Sequence, residues 1–264
     1  MKQYTVSFIG AGKVAGALCH RFHEAGLKIG TIVSRTPDKG MTLAEECGGN
    51  WSPEPRFSGD EDCIFVAVPD DSIRSVMSDI ETGGNAVIAH TAGSMGLEVF
   101  PGRMEHKGVF YPLQTFSHGR KVEFTGLPFF VEASDKTSLE LLTNLAVLIG
   151  GSVNLIDEDQ RRFLHIAAVF VNNFTNYMLL AGKKVTDHAG LSFSVMEPLI
   201  RETVDKAIKN GPEFSQTGPA SRDDHGTIEK HINLLSFSPE LQEVYKEITR
   251  AIVNNHKNTG DDQF

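Results

Sequence analysis

Apolar positions change their spacing once along this chain, near residue 155. Before that point, short apolar runs alternate with amphipathic stretches. The runs are Val6–Ile9, Ile29–Val33, Cys63–Val68, Ala86–Ala89, Val109–Leu113, Pro128–Glu132 and Ser152–Ile156. Several are continuously apolar, the signature of strands buried on both faces of a parallel sheet. Between them, Val14–Ala25, Asp38–Cys47, the stretch from Pro69-Asp70-Asp71 to about Ile80, and Asp135–Ile149 have helical spacing. Gly48–Gly59, with Pro53 and Pro55, reads as loop. Strand and helix in alternation predict a doubly wound α/β sheet.

From Glu158 onward the strand signal stops. Gln160–Lys183, Ser192–Asn210, Asp224–Leu235 and Pro239–Asn254 read as helices, with a Gly/Pro-rich loop over Gly211–Arg222 and a polar, frayed tail after Lys257. The predicted organisation is an α/β domain over residues 1–155 and an all-helical domain over 156–264. The most apolar stretch, Phe163–Leu180, is interrupted by His165, Asn172, Asn173 and Asn176. That composition predicts a buried helix rather than a membrane span. One small helical domain offers too little cover for it, so a homodimer is expected.

Bulk composition narrows the partners. The chain has 264 residues, 40% hydrophobic, with a net charge of −9; its pI is about 5.6 and its mean hydropathy −0.17. It has no basic run, which argues against nucleic acid and anionic membranes. No signal-peptide pattern is visible, and the three cysteines (Cys19, Cys47, Cys63) fit reduced thiols in a cytoplasmic protein. Cys19 and Cys63 read as small core residues. No spacing suits a metal site.

The first 35 residues carry the clearest chemistry. Val6–Ile9 leads directly into Gly10-Ala11-Gly12-Lys13-Val14-Ala15-Gly16, then a helix, then the strand Ile29–Val33. Strand, glycine turn, helix and strand form the unit that holds a dinucleotide diphosphate at a helix N-terminus. Gly10 would allow the tight turn, Gly12 the approach of phosphate to the amides, and Ala15 or Gly16 the close seating of helix on strand. At the end of the second strand, where an NAD site has an acid, stands Ser34-Arg35-Thr36. A guanidinium pairs with a 2′-phosphate and a carboxylate repels it, so NADP is the expected cofactor.

Ligands of open α/β sheets lie beyond the carboxyl ends of the strands. Val68-Pro69 would follow the cofactor's ribose and phosphates, His90-Thr91-Ala92 would lie nearer the nicotinamide, and Gln114 belongs to the loop after the strand ending at Leu113. On a regular helix at about 100° per residue, His165, Asn172 and Asn176 fall within about 40° of one another, with Asn173 beside them. That polar stripe supplies candidate catalytic residues (His165, Asn172, Asn173) and a substrate contact (Asn176), or else a structural hydrogen-bonding network. In the loop Thr217–His225, Arg222 suits a carboxylate or phosphate clamp, with Asp223 orienting it or with Asp223 or Asp224 capping the next helix.

The residues Gly10-Ala11-Gly12, Ala67-Val68-Pro69-Asp70, His90-Thr91-Ala92-Gly93-Ser94, Tyr111-Pro112-Leu113-Gln114-Thr115-Phe116, His165 with Asn172-Asn173, and Thr217-Gly218-Pro219 with Arg222-Asp223 resemble one superfamily along nearly the whole chain. It is the 6-phosphogluconate dehydrogenase-like group, which includes pyrroline-5-carboxylate reductases, β-hydroxyacid dehydrogenases, ketopantoate reductases and coenzyme-F420-dependent NADP reductases. The nearer resemblance is to bacterial Rossmann-like NADP oxidoreductases with a helical C-terminal domain of unknown function. The resemblance implies an NADP-linked oxidoreductase passing hydride to or from a small polar carbonyl or imine compound in an interdomain cleft. One departure stands out. The hydroxyacid dehydrogenases carry a catalytic Lys four residues before an Asn, and aligning that Asn with Asn173 places Val169 there. His165, one turn earlier, is then the candidate proton donor. The alternative is an NADP-binding sensor or scaffold that turns nothing over.

Overall fold

The computed structural model describes residues 3–117 and 119–260, with side chains as far as Asn255. In chain order the first part runs β1 (Thr5–Ile9), α1 (Lys13–Glu24), β2 (Lys28–Val33), α2 (Pro37–Cys47), β3 (Asn50–Ser52), β4 (Arg56–Phe57), β5 (Cys63–Val66), α3 (Asp70–Asp79), β6 (Glu81–Thr82), β7 (Val87–His90), β8 (Lys107–Pro112), β9 (Pro128–Ala133), α4 (Lys136–Leu148) and β10 (Ser152–Leu155). Eight strands form one sheet in the order β10-β9-β8-β7-β5-β1-β2-β3. Every neighbouring pair is parallel except β8 with β9. No α-helix lies between those two among the described residues. This is the expected doubly wound sheet. The sequence reading missed β3, a three-residue edge strand pairing Ile32 with Trp51, and the small β4–β6 pair. Strands this short, set among glycines and prolines, carry no periodicity to read.

A row of phenylalanines fills the face of the sheet under α1. Phe8, Phe22, Phe65, Phe110 and Phe129 are fully buried. Ring centroids lie 5.5 Å apart for Phe8–Phe65, 5.0 Å for Phe65–Phe110 and 4.7 Å for Phe110–Phe129. β7 lies between β5 and β8 and contributes Ala89 opposite Phe65. Its small side chain lets the rings on either side meet. Offset and tilted rings at these distances add to the large apolar area each one buries.

The strands end at Leu155, close to the expected boundary, but the first of two compact units continues to Asn173 and the second starts at Phe174. The helix α5 (Glu158–Ala168) belongs to the first unit. Asp157 and Gln160 close a reciprocal capping box at its start, with Gln160 N donating to Asp157 Oδ1 at 2.8 Å. Arg161, fully buried, ties α5 to the sheet unit. It pairs with Glu132 on β9 and donates from Nη2 to the Met95 carbonyl at 2.7 Å. A charge so deeply buried persists only with such partners.

The second unit comprises α6 (Thr175–His188), α7 (Glu197–Asn210), α8 (His225–Leu234) and α9 (Pro239–Gly260), joined by short 3₁₀ turns. Gly211, in the left-handed region, ends α7 as predicted. The helix α9 continues through the tail expected to fray, as far as Gly260; Asp261–Phe264 lie outside the described residues.

The expected burial of Phe163–Leu180 is corrected. Phe163 and Val171 are each 74% exposed, and Phe170, Phe174 and Leu180 are exposed too. Apolarity along a sequence says that a surface needs cover, not which chain provides it. By length and composition alone, Glu158–His188 is the one described helical stretch that meets the requirement for a membrane crossing. A second correction concerns the stripe of polar residues. Val169–Phe174 form a π-helical turn, where bonds run i to i+5, so 100° per residue does not hold across it.

Candidate functional site

Gly10 sits at φ 110°, and a β-carbon there would lie 2.3 Å from the Ala67 carbonyl oxygen. Both the left-handed backbone and the close approach of the β5 strand end demand glycine. Its amide donates to the Val33 carbonyl at 2.8 Å, which ties the turn between β1 and α1 to the end of β2. Gly12 is the residue that caps α1, and no side chain caps the helix in its place. A β-carbon on Gly12 would meet nothing within 4 Å. The first amides of α1 therefore open onto free space, with no acidic residue in the first turn and the exposed Lys13 beside them. Bare amides at the positive end of a helix are the donor set that fits a diphosphate. Ala11 and Val14 flank them, half-buried. Of Ala15 and Gly16, the close-packing residue is the fully buried Ala15; Gly16 faces open space.

At the end of β2 the three polar residues separate in role. Ser34 is buried, its hydroxyl donating to the Thr36 carbonyl at 2.8 Å and accepting from Trp51 Nε1 at 3.1 Å. The single hydroxyl proton is used, so Ser34, placed by its sequence beside Arg35 among the candidate cofactor contacts, holds the strand end instead. Arg35 is exposed and has no ion-pair partner among the described residues, and Thr36, also exposed, precedes the first turn of α2.

The strand ends β5 and β7 supply the next wall. Pro69 is exposed and caps α3, Val68 is half-buried, and Asp70 accepts a hydrogen bond from the Ser94 hydroxyl. Thr91 N donates to the Val66 carbonyl and Ala92 is buried. His90 differs from expectation. Its ring is fully buried against Phe100, with Nε2 3.2 Å from the Gly96 carbonyl and Nδ1 accepting from Ala92 N at 3.3 Å. Both nitrogens serve the loop, so the side chain shapes Thr91–Gly96 and does not reach a ligand. Burial holds its pKa down to about 4, with the Gly96 bond opposing. An unfolded histidine titrates near 6.5, so below that pH only the unfolded chain takes up this proton. Stability should be complete above about pH 6.5 and fall by about 3 kcal/mol as pH drops to about 4. Urea titrations at several pH values test this; His90→Asn should flatten the slope.

Gly93 brings together what the sequence kept apart. A β-carbon there would lie 2.7 Å from His165 Nδ1 and 2.8 Å from Tyr111 Cζ. Tyr111 is the last residue but one of β8, and His165 lies on α5, one turn after Arg161. The Tyr111 hydroxyl and His165 Nδ1 are 3.2 Å apart, the rings edge to face at 5.9 Å. Both are half-buried. Burial, reinforced by Asp70, raises the Tyr111 pKa, so the phenol keeps its proton. As an imidazolium the ring can give its Nε2 proton and keep the Nδ1 proton on the Tyr111 oxygen, leaving a neutral ring. The sequence placed Tyr111 in a family motif but gave it no role, because nothing local marks its pairing with a residue 54 positions away.

The remaining candidates are less constrained. Asn172 Nδ2 donates to Asn173 Oδ1 at 3.3 Å, both exposed on the π-helical turn. Gln114 is exposed, its side chain accepting from Thr115 N. In the second unit, Asn176 is exposed on α6. Asp224, not Asp223, caps α8 by accepting from Thr227 N at 3.1 Å. Asp223 adopts φ 53° and meets His225 Nε2 at 3.4 Å. Arg222 is exposed, without an ion pair among the described residues. Those residues include no cluster of metal-ligating side chains.

Two family profiles match the chain: NADP oxidoreductase coenzyme F420-dependent over residues 5–93, and a domain of unknown function, DUF2520, over residues 127–252. A putative NADP oxidoreductase from Bacteroides fragilis is 33% identical, covering 96% of this chain and 98% of that one, with a TM-score of 0.85. The chain belongs to this DUF2520-containing family of NADP oxidoreductases. A Thermotoga maritima protein of the same fold is 25% identical over 96% of this chain and 99% of its own, TM-score 0.70. The fold is shared with a reductive aminase from Aspergillus terreus, solved with NADPH and ethyl-5-oxohexanoate, at 11% identity over 96% and 94% and a TM-score of 0.70. No curated protein matches significantly. The family membership accounts for the glycine turn and the parallel sheet, and it leaves substrate and reaction open.

Proposed function

We propose that this chain binds NADP(H) and transfers hydride between the nicotinamide and a small polar carbonyl or imine compound. The observation that carries the reading is the unblocked N-terminus of α1: amides of the Gly12 turn facing open space, held by a Gly10 that nothing larger can replace. Ala11, Gly12, Lys13 and Val14 would hold the diphosphate, and Arg35 with Thr36 the 2′-phosphate. Val68, Pro69, Thr91 and Ala92 would line the remainder. A bound NADPH supplies the hydride. The chain's own contribution is a proton held at His165 Nε2, oriented by Tyr111 and positioned by the absence of a side chain at Gly93. General acid assistance of this kind contributes roughly 10²–10⁴ in rate. Likeness to an NADPH-bound reductive aminase supports the imine or ketone class.

The test is NADPH consumption followed by absorbance against keto acids, cyclic imines and flavin-type acceptors. Turnover with a keto acid or an imine supports the reading. Tight binding with no turnover across the panel favours the sensor, for which Val169 in place of a Lys is the specific observation. A homodimer belongs to the same proposal. Among described residues of the second unit, only Ala220, Leu235 and Leu241 are buried apolar side chains, while Ile208 and Phe214 are about 80% exposed. So bare a unit needs cover from a partner. Sedimentation at micromolar concentration should therefore give twice the 28.9 kDa of one chain. A 28.9 kDa species would contradict the dimer.

A further inference from the structure

Two polar bridges, set one helical turn apart, fasten α5 to the sheet. Arg161 pairs with Glu132 on β9, and His165, four residues on, meets the Tyr111 hydroxyl on β8 at 3.2 Å. Across the antiparallel β8–β9 ladder, Glu132 stands opposite Val109 and Tyr111 opposite Phe130. Opposite residues share a face of a sheet, and so do residues two apart, so Glu132 and Tyr111 project from the same face. Two residues of strand advance about 6.8 Å, and four residues of helix about 6 Å. The two bridges therefore match in spacing, and the first sets the place of the second. Arg161 also holds the wall against which the imidazole rests. Its Nη2 donates to the Met95 carbonyl at 2.7 Å, two residues beyond Gly93, whose missing side chain leaves room for the His165 ring.

Stability does not account for the Arg161–Glu132 pair. Arg161 is fully buried, and its Nε has no hydrogen-bond partner among the described residues, which leaves part of the desolvation cost unrecovered. Buried ion pairs are often no more stabilising than apolar side chains of similar volume. What apolar side chains lack is direction. We propose that Arg161 and Glu132 are positioning residues for His165, fixing its imidazole against Tyr111 and Gly93. The inference rests on the reading of His165 as the proton donor. Arg161, with no exposed surface, acts through His165 and not on the substrate. Its planar guanidinium serves Glu132 from Nη1 and the Met95 carbonyl from Nη2 at once. A Lys ammonium is a single point on a flexible stem and does not hold both in that fixed geometry.

The test replaces the pair by apolar side chains, in the double variant Arg161→Met/Glu132→Leu of the full-length protein. Its thermal melt should stay near that of the wild type, because the charge and its partner leave together. The ring-nitrogen NMR signals of His165, assigned by their loss in His165→Gln, should change. In the wild type the neutral ring keeps its proton on Nδ1, facing the Tyr111 oxygen; in the variant the proton should be shared between Nδ1 and Nε2. On an imine or keto acid consumed as proposed, kcat should fall by about tenfold or more, since a misplacement of about 1 Å can cost about 10²-fold. The Kd for NADPH should stay within about threefold, because Arg161 meets Glu132 and Met95 and not the glycine turn. Arg161→Lys should show the same spectral change with a smaller loss of kcat, and it decides the matter if the double variant does not fold. A folded variant with the wild-type His165 spectrum would overturn the proposal, as would an unchanged kcat where His165→Gln lowers it. If His165→Gln itself leaves kcat unchanged, the proton-donor reading falls, and the ring spectrum alone judges the positioning.

Discussion

Gly12→Ala should yield a protein as stable as the wild type that binds NADPH at least tenfold more weakly. The added methyl group meets no protein atom within 4 Å, so the fold has no reason to respond beyond about 1 kcal/mol at a helix cap. It occupies instead the space in front of the α1 amides. A hydrogen bond to a charged group is worth about 1.5–3 kcal/mol, so losing even one weakens binding about 10- to 150-fold. The companion substitution behaves in the opposite way. Gly10→Ala puts a β-carbon 2.3 Å from the Ala67 oxygen at φ 110°. Left-handed strain of about 1–2 kcal/mol combines with overpacking of about 1–3 kcal/mol. Thermal melts should fall by several degrees with or without cofactor. Together the two variants separate a glycine required for ligand approach from one required by the fold. Equal effects of both on stability, with cofactor affinity unchanged, would contradict that division.

Removing the imidazole is the other change with a large expected effect. If the protein consumes an imine or keto acid as proposed, His165→Gln should lower kcat on it by roughly 10²–10⁴, the range for a positioned general acid. Affinity for NADPH should stay within about twofold, because His165 touches Tyr111 and Gly93 and not the glycine turn. Tyr111→Phe should lower kcat less and shift the pH profile. It leaves the ring in place and removes only the hydroxyl that fixes which nitrogen carries the proton. Unchanged kcat in both variants would mean that the pair is packing alone.

How far the sequence could be read differs between parts of the molecule for physical reasons. The long buried strands and α1–α4 were legible because a doubly wound sheet forces continuous apolar runs and amphipathic helices to alternate. The glycine turn was legible because its pattern is contiguous: Gly10, Ala11 and Gly12 follow one apolar strand and open one helix. Ser34 and His90 were misjudged because their side chains are engaged by Trp51 and by the Gly96 carbonyl. Neither partner is announced by spacing. The polar stripe through Asn172 assumed a regular helix, and a π-helical turn leaves no mark in hydrophobic periodicity. Nothing in the sequence marks Arg161 as buried. Only the tertiary fold, which sets Glu132 and the Met95 carbonyl against it, explains its burial. The pairing of Tyr111 with His165 likewise exists only once the chain has folded.

The central claim is that α1 amides grip a diphosphate while Arg35 grips the 2′-phosphate. Calorimetric titration of the wild-type protein and of Arg35→Ala, each with NADPH and with NADH, tests it directly. The wild type should prefer NADPH, and Arg35→Ala should lose that preference by about 10-fold or more through NADPH alone. No heat with either nucleotide, or a preference untouched by the substitution, would contradict it.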